Sequence, residues 1–167
     1  GYRVEAVRNK GYHLLETPND VTFAEVSHAL STKWIGHELY CYDKIDSTNL
    51  QIKRLAEEGK EEGTLAIADC QESGRGRRGR SWASPSGDGL WMSLLLRPKF
   101  SIDKASMITL LVAMAVQRGI QNATGLQTQI KWPNDIVYEG RKVCGILTEM
   151  TIEESRINYV VVGIGVN

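Results

Sequence analysis

Residues 74–80 read GRGRRGR and set four arginines, Arg75, Arg77, Arg78 and Arg80, among three glycines. Lys and Arg total 20 and Asp and Glu total 20, so this charge is local and not the surplus of a chain that coats nucleic acid or an anionic membrane. Guanidinium forks bind carboxylate and phosphate oxygens in pairs, and glycine lets successive backbone N–H groups turn toward one centre. A loop of this kind can fold around a ligand that carries several negative groups at once, such as a carboxylic acid together with ATP.

Other readings compete with that one. Gly74-x-Gly76-x-x-Gly79 matches the dinucleotide fingerprint, and the strand-like TLAIAD precedes it. The fingerprint needs a helix starting at its last glycine, however, and Ser81–Gly89 carries Pro85, Gly87 and Gly89, the composition of a loop. A nucleic-acid or targeting patch is usually a solvated tail or helix face, whereas this run lies between two core-like strands with Trp82 directly after it. A charged surface loop with no ligand is the blandest alternative.

The segments that must position the loop are readable from periodicity. YRVEAV and YHLLE read as two short strands joined by a turn at RNKG, TPND as a linker, and TFAEVSHALS as a short amphipathic helix, so the main domain begins near Val21. HELYCYDKI alternates as a strand, and DSTNLQIKRLAEEG follows as a helix with a Thr48-x-x-Gln51 capping box and a stop at Gly59. GTLAIAD and LWMSLLLRP flank the arginine loop as strands. SIDKASMITLLVAMAVQRGIQNATG is apolar almost all round over its middle, which predicts a long helix packed deep in the core. TQIKWP, DIVYEGRKVCGILTEM and RINYVVVGIGV close the chain as strands, with hairpin turns at Glu139-Gly140 and within Glu153–Ser155. Consecutive strands joined by tight turns favour antiparallel pairing, so the fold class is α+β, with a mixed, largely antiparallel sheet flanked by helices.

At 167 residues and 42% hydrophobic content the chain suits one domain with a real core. Cys41, Cys70 and Cys144 are isolated thiols with no CxxC pair, consistent with a reducing compartment and no structural zinc. The start lacks a signal peptide's apolar core, and the apolar stretch Ala105–Val116 is too short to span a bilayer. A cytoplasmic protein without a membrane partner is expected.

GRGRRGRSW, KWPNDI, RKVCGILTEM and the terminal GIGVN, with DSTN upstream, together and in this order resemble biotin protein ligase over residues 36–167. The resemblance implies the family's catalytic fold, which is similar to class II aminoacyl-tRNA synthetases, for residues 21–167. Residues 1–20 resemble the wing and linker of the winged-helix repressor domain of bifunctional members. The chain is expected to be incomplete at both ends, so operator DNA would be bound only through winged-helix parts outside it. The implied reaction joins biotin and ATP into biotinyl-5′-AMP and then moves biotin to a lysine of a biotin carboxyl carrier domain, with Mg2+ accompanying ATP and no dedicated metal site. A homodimer is one arrangement the resemblance admits. A lipoate-type ligase, or a non-catalytic biotin or biotinyl-AMP sensor, is the alternative.

Residue by residue, the resemblance implies that Ser47, Thr48, Asn49 and Gln71 meet the biotin ring system. The first three sit where a helix begins, and plain N-capping would also explain them. Gly74, Arg75, Gly76 and Arg77 are implied to close over biotin and the phosphates, and Arg80 to follow on the phosphate side. Trp82 is implied to stack on adenine, and is otherwise a core aromatic. Pro133 restricts Trp132 to an extended shape, so that Asn134 and Asp135 arrive at a bend. They are implied to be a nucleotide contact and a biotin-side acceptor, respectively. Lys142 matches the family lysine between the biotin carboxylate and the α-phosphate and is the main catalytic candidate, with Arg75 and Arg77 beside it. Gly145 admits the ligand, Leu147 walls it from the same strand face, and Asn167 matches an adenine contact.

Overall fold

The computed structural model describes residues 2–16 and 21–167; the TPND segment expected as a linker lies outside the described residues. β1 (Arg3–Val7) and β2 (Gly11–Glu16) form a two-stranded antiparallel ribbon with every residue exposed. α1 (Phe23–Ala29) is capped by the Thr22 hydroxyl, which accepts from Glu25 N. There follow β3 (Leu39–Ile45), α2 (Thr48–Glu57), β4 (Leu65–Gln71), β5 (Leu90–Leu96), α3 (Ser106–Thr124), β6 (Gln129–Lys131), β7 (Asp135–Tyr138), β8 (Arg141–Glu153) and β9 (Arg156–Val166).

These seven later strands make one sheet in the order β3-β4-β5-β9-β8-β7-β6. β3 and β4 are parallel because α2 crosses over between them, and every other neighbouring pair is antiparallel. Both hairpin turns form as expected, with positive φ at Glu139 and Gly140 and at Glu154 and Ser155, the backbone that two-residue hairpin loops require.

The run of valines in β9 shows how the sheet is covered. Successive side chains of a strand point to opposite faces. Val160, Val162 and Ile164 therefore join Ile136, Ile146 and the α3 residues Ile108 and Ala113, while Tyr159 and Val161 join Leu95 and the α2 residues Ile52, Leu55 and Ala56. A strand buried on both faces reads as a continuous apolar run, as this one does.

α3 departs from expectation. Only Ile108 and Ala113 are buried, and Met107, Leu110, Leu111 and Met114 remain 44 to 58% exposed. The spacing i, i+3, i+4, i+7 puts these four on one outer stripe. An all-round apolar pattern means that two faces favour cover; the sheet covers one, and no element among the described residues covers the other.

Candidate active site

The site lies on the α2 face of the sheet, where β8 and β9 lose their side chains. Gly145 and Gly165 are cross-strand partners, and Gly163 lies two residues earlier on the same face. A Cβ at Gly145 or Gly165 would come within 2.7 Å of the Trp82 indole, and one at Gly163 within 2.2 Å of Asn49 Oδ1. Each distance is shorter than a real Cβ contact, so bare backbone is required. The result is a cleft of about 460 Å3, the open solvent at its mouth included, with a peptide floor.

One end of the cleft is the start of α2. Ser47 makes no side-chain cap, and the expected Thr48–Gln51 capping box does not form. Thr48 instead lies in the first helical turn, and both its backbone N–H (2.9 Å) and its hydroxyl (3.0 Å) face Gln71 Oε1. Capping loses because a nearby amide on β4 offers the hydroxyl a buried acceptor. Gln71 is turned this way by its own Nε2, which donates to Ser84 Oγ at 2.8 Å. Behind them the buried Ser93 Oγ lies 2.7 Å from Thr48 Oγ1 and 2.6 Å from Asn49 Oδ1. Asn49 Nδ2 donates to Glu149 Oε2 at 2.7 Å, and Lys53 Nζ reaches Oε1 at 2.7 Å. Ser47, Thr48 and Asn49 are 1, 3 and 4% exposed, so the polar cup is built into the interior.

The other end is cationic. The arginine loop folds back on itself through bridges between Gln71 and Ser84 and between Arg75 and Ser81, with Gly76 N donating to Arg80 O at 2.7 Å. Its tip is one tight turn in which Arg78 and Gly79 both take positive φ. Arg77 Nη1 donates to Asn134 Oδ1 at 2.8 Å, and Asn134 Nδ2 donates to Ile146 O at 3.1 Å, which ties the loop to the KWPND turn. Lys142 Nζ sits 2.7 Å from Asp135 Oδ1 and 4.7 Å from the centre of the Trp82 ring. Trp82 packs edge-on against Trp91, and its Nε1–H is buried with no acceptor among the described residues.

Twelve of the sequence-predicted residues come together on this one cleft: Ser47, Thr48, Asn49 and Gln71 at the cup, Gly145 and Leu147 along the wall, and Arg75, Gly76, Arg77, Trp82, Asn134 and Lys142 at the rim. Arg80 and Asp135 lie instead on a solvent-open outer mouth, together with Arg78 and Trp132. Gly74 stands behind the loop, where a Cβ would lie 2.3 Å from Trp82 O. Asn167 lines neither space, and its N–H donates to Val143 O at 2.9 Å. The sequence reading missed Gly163 and Gly165, although glycine at alternate positions of VVVGIGV is a period-2 signal. It also missed Ser93 and Glu149, which carry no signal of their own.

Burial pushes the Glu149 carboxyl up, but hydrogen bonds from Lys53 and Asn49, with the charges of Lys53 and Arg75, outweigh it and hold the group below the usual value. On the α3 face, burial pushes the Cys144 thiol up to about 12, which leaves it a packing residue and not a nucleophile. No group of three or more His, Cys, Asp or Glu among the described residues is placed to hold a metal. A neutral hydrogen-bonding group fits the cup, and a carboxylate or phosphate fits between Arg75, Arg77 and Lys142.

The sequence pattern of the Biotin/lipoate A/B protein ligase family matches residues 41–167. The chain belongs to that family. The Bifunctional ligase/repressor BirA of Bacillus subtilis (strain 168) is 48% identical over 167 residues, 100% of this chain and 51% of that protein. The Biotin--[acetyl-CoA-carboxylase] ligase of Paracoccus denitrificans is 38% identical over 126 residues, 74% of this chain and 52% of that protein. Among solved structures, the biotin protein ligase from Aquifex aeolicus in complex with biotin and ATP matches with a TM-score of 0.65 at 35% identity, covering 78% of this chain and 52% of that one. The chain thus spans about half the length of the curated relatives it matches. Its mixed sheet flanked by helices is the biotin protein ligase catalytic fold, as the α+β expectation required. No helix among the described residues is long and apolar enough to cross a membrane.

Proposed function

We propose that this chain is the biotin-activating part of a cytoplasmic biotin protein ligase. A biotin carboxylate oxygen attacks the α-phosphorus of ATP, the bond to the bridging oxygen breaks, and pyrophosphate leaves with its electron pair. A lysine amine of a biotin carboxyl carrier domain then displaces AMP from the mixed anhydride. The nucleophile of the first step is already an anion, so no general base is needed there. What that step needs is two anions held together and charge stabilised on the α-phosphate, which is work for preorganised cations.

One observation carries the reading: a single cleft joins a polar cup of Thr48, Asn49 and Gln71 to a rim of Arg75, Arg77 and Lys142. The cup suits the ureido group, the glycine floor and Leu147 suit the ring and chain, and the rim suits carboxylate and α-phosphate. Trp82, Asn134, Arg80 and Asn167 are assigned to the nucleotide. Asp135 faces Lys142, and on this reading it holds the ammonium in place until the anions arrive. Mg2+ would travel on the nucleotide phosphates with water, which suits a site without a carboxylate cage among the described residues. A repressor role, taken from the printed name of the B. subtilis relative, would use the ribbon of β1 and β2 as part of a DNA-binding module.

Pyrophosphate release by the full-length protein with ATP and either biotin or lipoate tests the proposal. Release with biotin alone is expected. Release with lipoate alone would make the chain a lipoate-type ligase, and biotin binding without release would make it a sensor.

A further inference from the structure

Glu149 and Lys53 do not line the cleft, yet they govern the group that does. Asn49 and Lys53 are one helical turn apart on α2, so their side chains leave the same face. Glu149, on the same β8 face as Gly145 and Leu147, meets both: one carboxylate oxygen takes Asn49 Nδ2 and the other takes Lys53 Nζ, each at 2.7 Å. A carboxylate accepts and cannot donate, so the Asn49 amide must present its NH2 to Glu149 and its carbonyl to Ser93.

The hydrogens of the cup follow from that constraint. Ser93 has one O–H and two neighbouring oxygens, Asn49 Oδ1 at 2.6 Å and Thr48 Oγ1 at 2.7 Å. Asn49 Oδ1 can only accept, so the Ser93 hydrogen goes there, and the Thr48 hydroxyl is left as the donor within its own contacts with Ser93 and Gln71. With Glu149 absent or neutral, the amide is free to turn. Its NH2 would then meet Ser93, whose hydrogen would pass to Thr48 Oγ1, and the donors and acceptors that the cup offers would change. Buried polar chains couple in this way because each unmade bond is costly.

We propose that Glu149, braced by Lys53, is a positioning residue that sets the donor and acceptor pattern of the cup through Asn49, and so sets its selectivity for a ureido group. The ligand half of this inference rests on the proposed function. The charged and polar groups facing Glu149 are Lys53 and Asn49 on α2 and Arg75 in the loop. Its ionised form makes the clasp. Biotin affinity should therefore hold above the lowered value of Glu149 and fall as pH drops through it.

Two variants of the full-length protein and two readouts test this. The Asn49 side-chain amide resonance in NMR reports the clasp without any ligand, and it should shift and lose protection from exchange in Glu149→Gln. An unchanged resonance overturns the clasp whether or not biotin binds. Calorimetry should then show biotin affinity down about tenfold in Glu149→Gln, the scale of a lost charged hydrogen bond. The preference for biotin over neutral 2-iminobiotin at alkaline pH should narrow. In Lys53→Met, which keeps the carboxylate but removes its strongest stabiliser, the acid limb of biotin binding should move to higher pH. A uniform loss of affinity with the limb and the analogue preference unmoved would make both residues merely structural and overturn the proposal. If the unsubstituted protein binds no biotin, the proposed function fails and the ureido selectivity with it, while the NMR readout still decides the clasp.

Discussion

The two ends of the cleft are finished to different degrees. At the cup, Thr48, Asn49, Gln71, Ser84, Ser93 and Glu149 form a closed set in which each side chain has a protein partner. At the rim, Trp82 Nε1 is buried with no acceptor among the described residues, and Asp135 Oδ1, although 2.7 Å from Lys142 Nζ, makes no well-directed hydrogen bond among them. Arg77 rests on the neutral Asn134 amide and not on a carboxylate. A closed set of hydrogen bonds holds its geometry before a ligand arrives and so reads shape. An open set in which Arg75, Arg77 and Lys142 outnumber Asp135 still has room for anions, and on the proposed function its contribution belongs to the chemistry.

The contrast is broken most directly at Lys142. Lys142→Gln keeps length and polarity and deletes the charge, so the rate of pyrophosphate release should fall about 100-fold or more while biotin affinity changes little. An unchanged rate would move the catalytic burden to the arginine loop. Arg77→Ala removes a rim contact that has no apolar packing role. Dissociation of biotinyl-5′-AMP should quicken by about 10- to 100-fold, in line with 1.5–3 kcal/mol for a charge-assisted contact, with the melting temperature nearly unchanged. A large fall in melting temperature with unaltered dissociation would make the loop a structural element.

Gly163→Ala tests the other end. Its Cβ would meet Asn49 Oδ1 at 2.2 Å, so the cup must shift, and a stability loss of about 1–3 kcal/mol is expected from thermal unfolding together with weaker biotin binding. Unaltered binding would show that the cup is less rigid than its hydrogen bonds imply. The smallest effect is a change in exposure. Trypsin should cut at Arg78 and Arg80 in the free protein and more slowly with biotin plus ATP, since a bound anion offsets the mutual repulsion of four arginines that otherwise rest on backbone bridges and the Arg77–Asn134 contact. Equal cutting in both conditions would remove the distinction between a prebuilt and a completed end.

Legibility in the sequence divides along similar lines. Strands, hairpin turns and the arginine loop were readable because each is a local pattern: alternation, a Glu-Gly turn, arginines among glycines; Trp82, Asn134 and Lys142 at the rim were named through the family resemblance. The cup was half readable. The family resemblance pointed to Ser47, Thr48, Asn49 and Gln71, all of which line the cup, but the capping box read at Thr48 does not form, because the partner of its hydroxyl is Gln71, 23 residues away on another element. Glu149 meets Asn49 across 100 residues, and nothing near it in sequence distinguishes it from an ordinary solvated charge. α3 was read as deeply buried because composition states what a helix favours, while only the tertiary structure states how much cover this chain provides.

The glycine floor also limits how the cleft can be redesigned. A pocket walled by side chains can be widened or narrowed by substitution at any position, but Gly145, Gly163 and Gly165 contribute only peptide, and peptide has no larger or smaller version. Any added carbon there displaces Trp82 or Asn49 before it touches a ligand. Attempts to admit a bulkier or differently shaped acid must therefore work from the walls, where Met92 and Leu147 supply deformable side chains, and leave the floor as it stands.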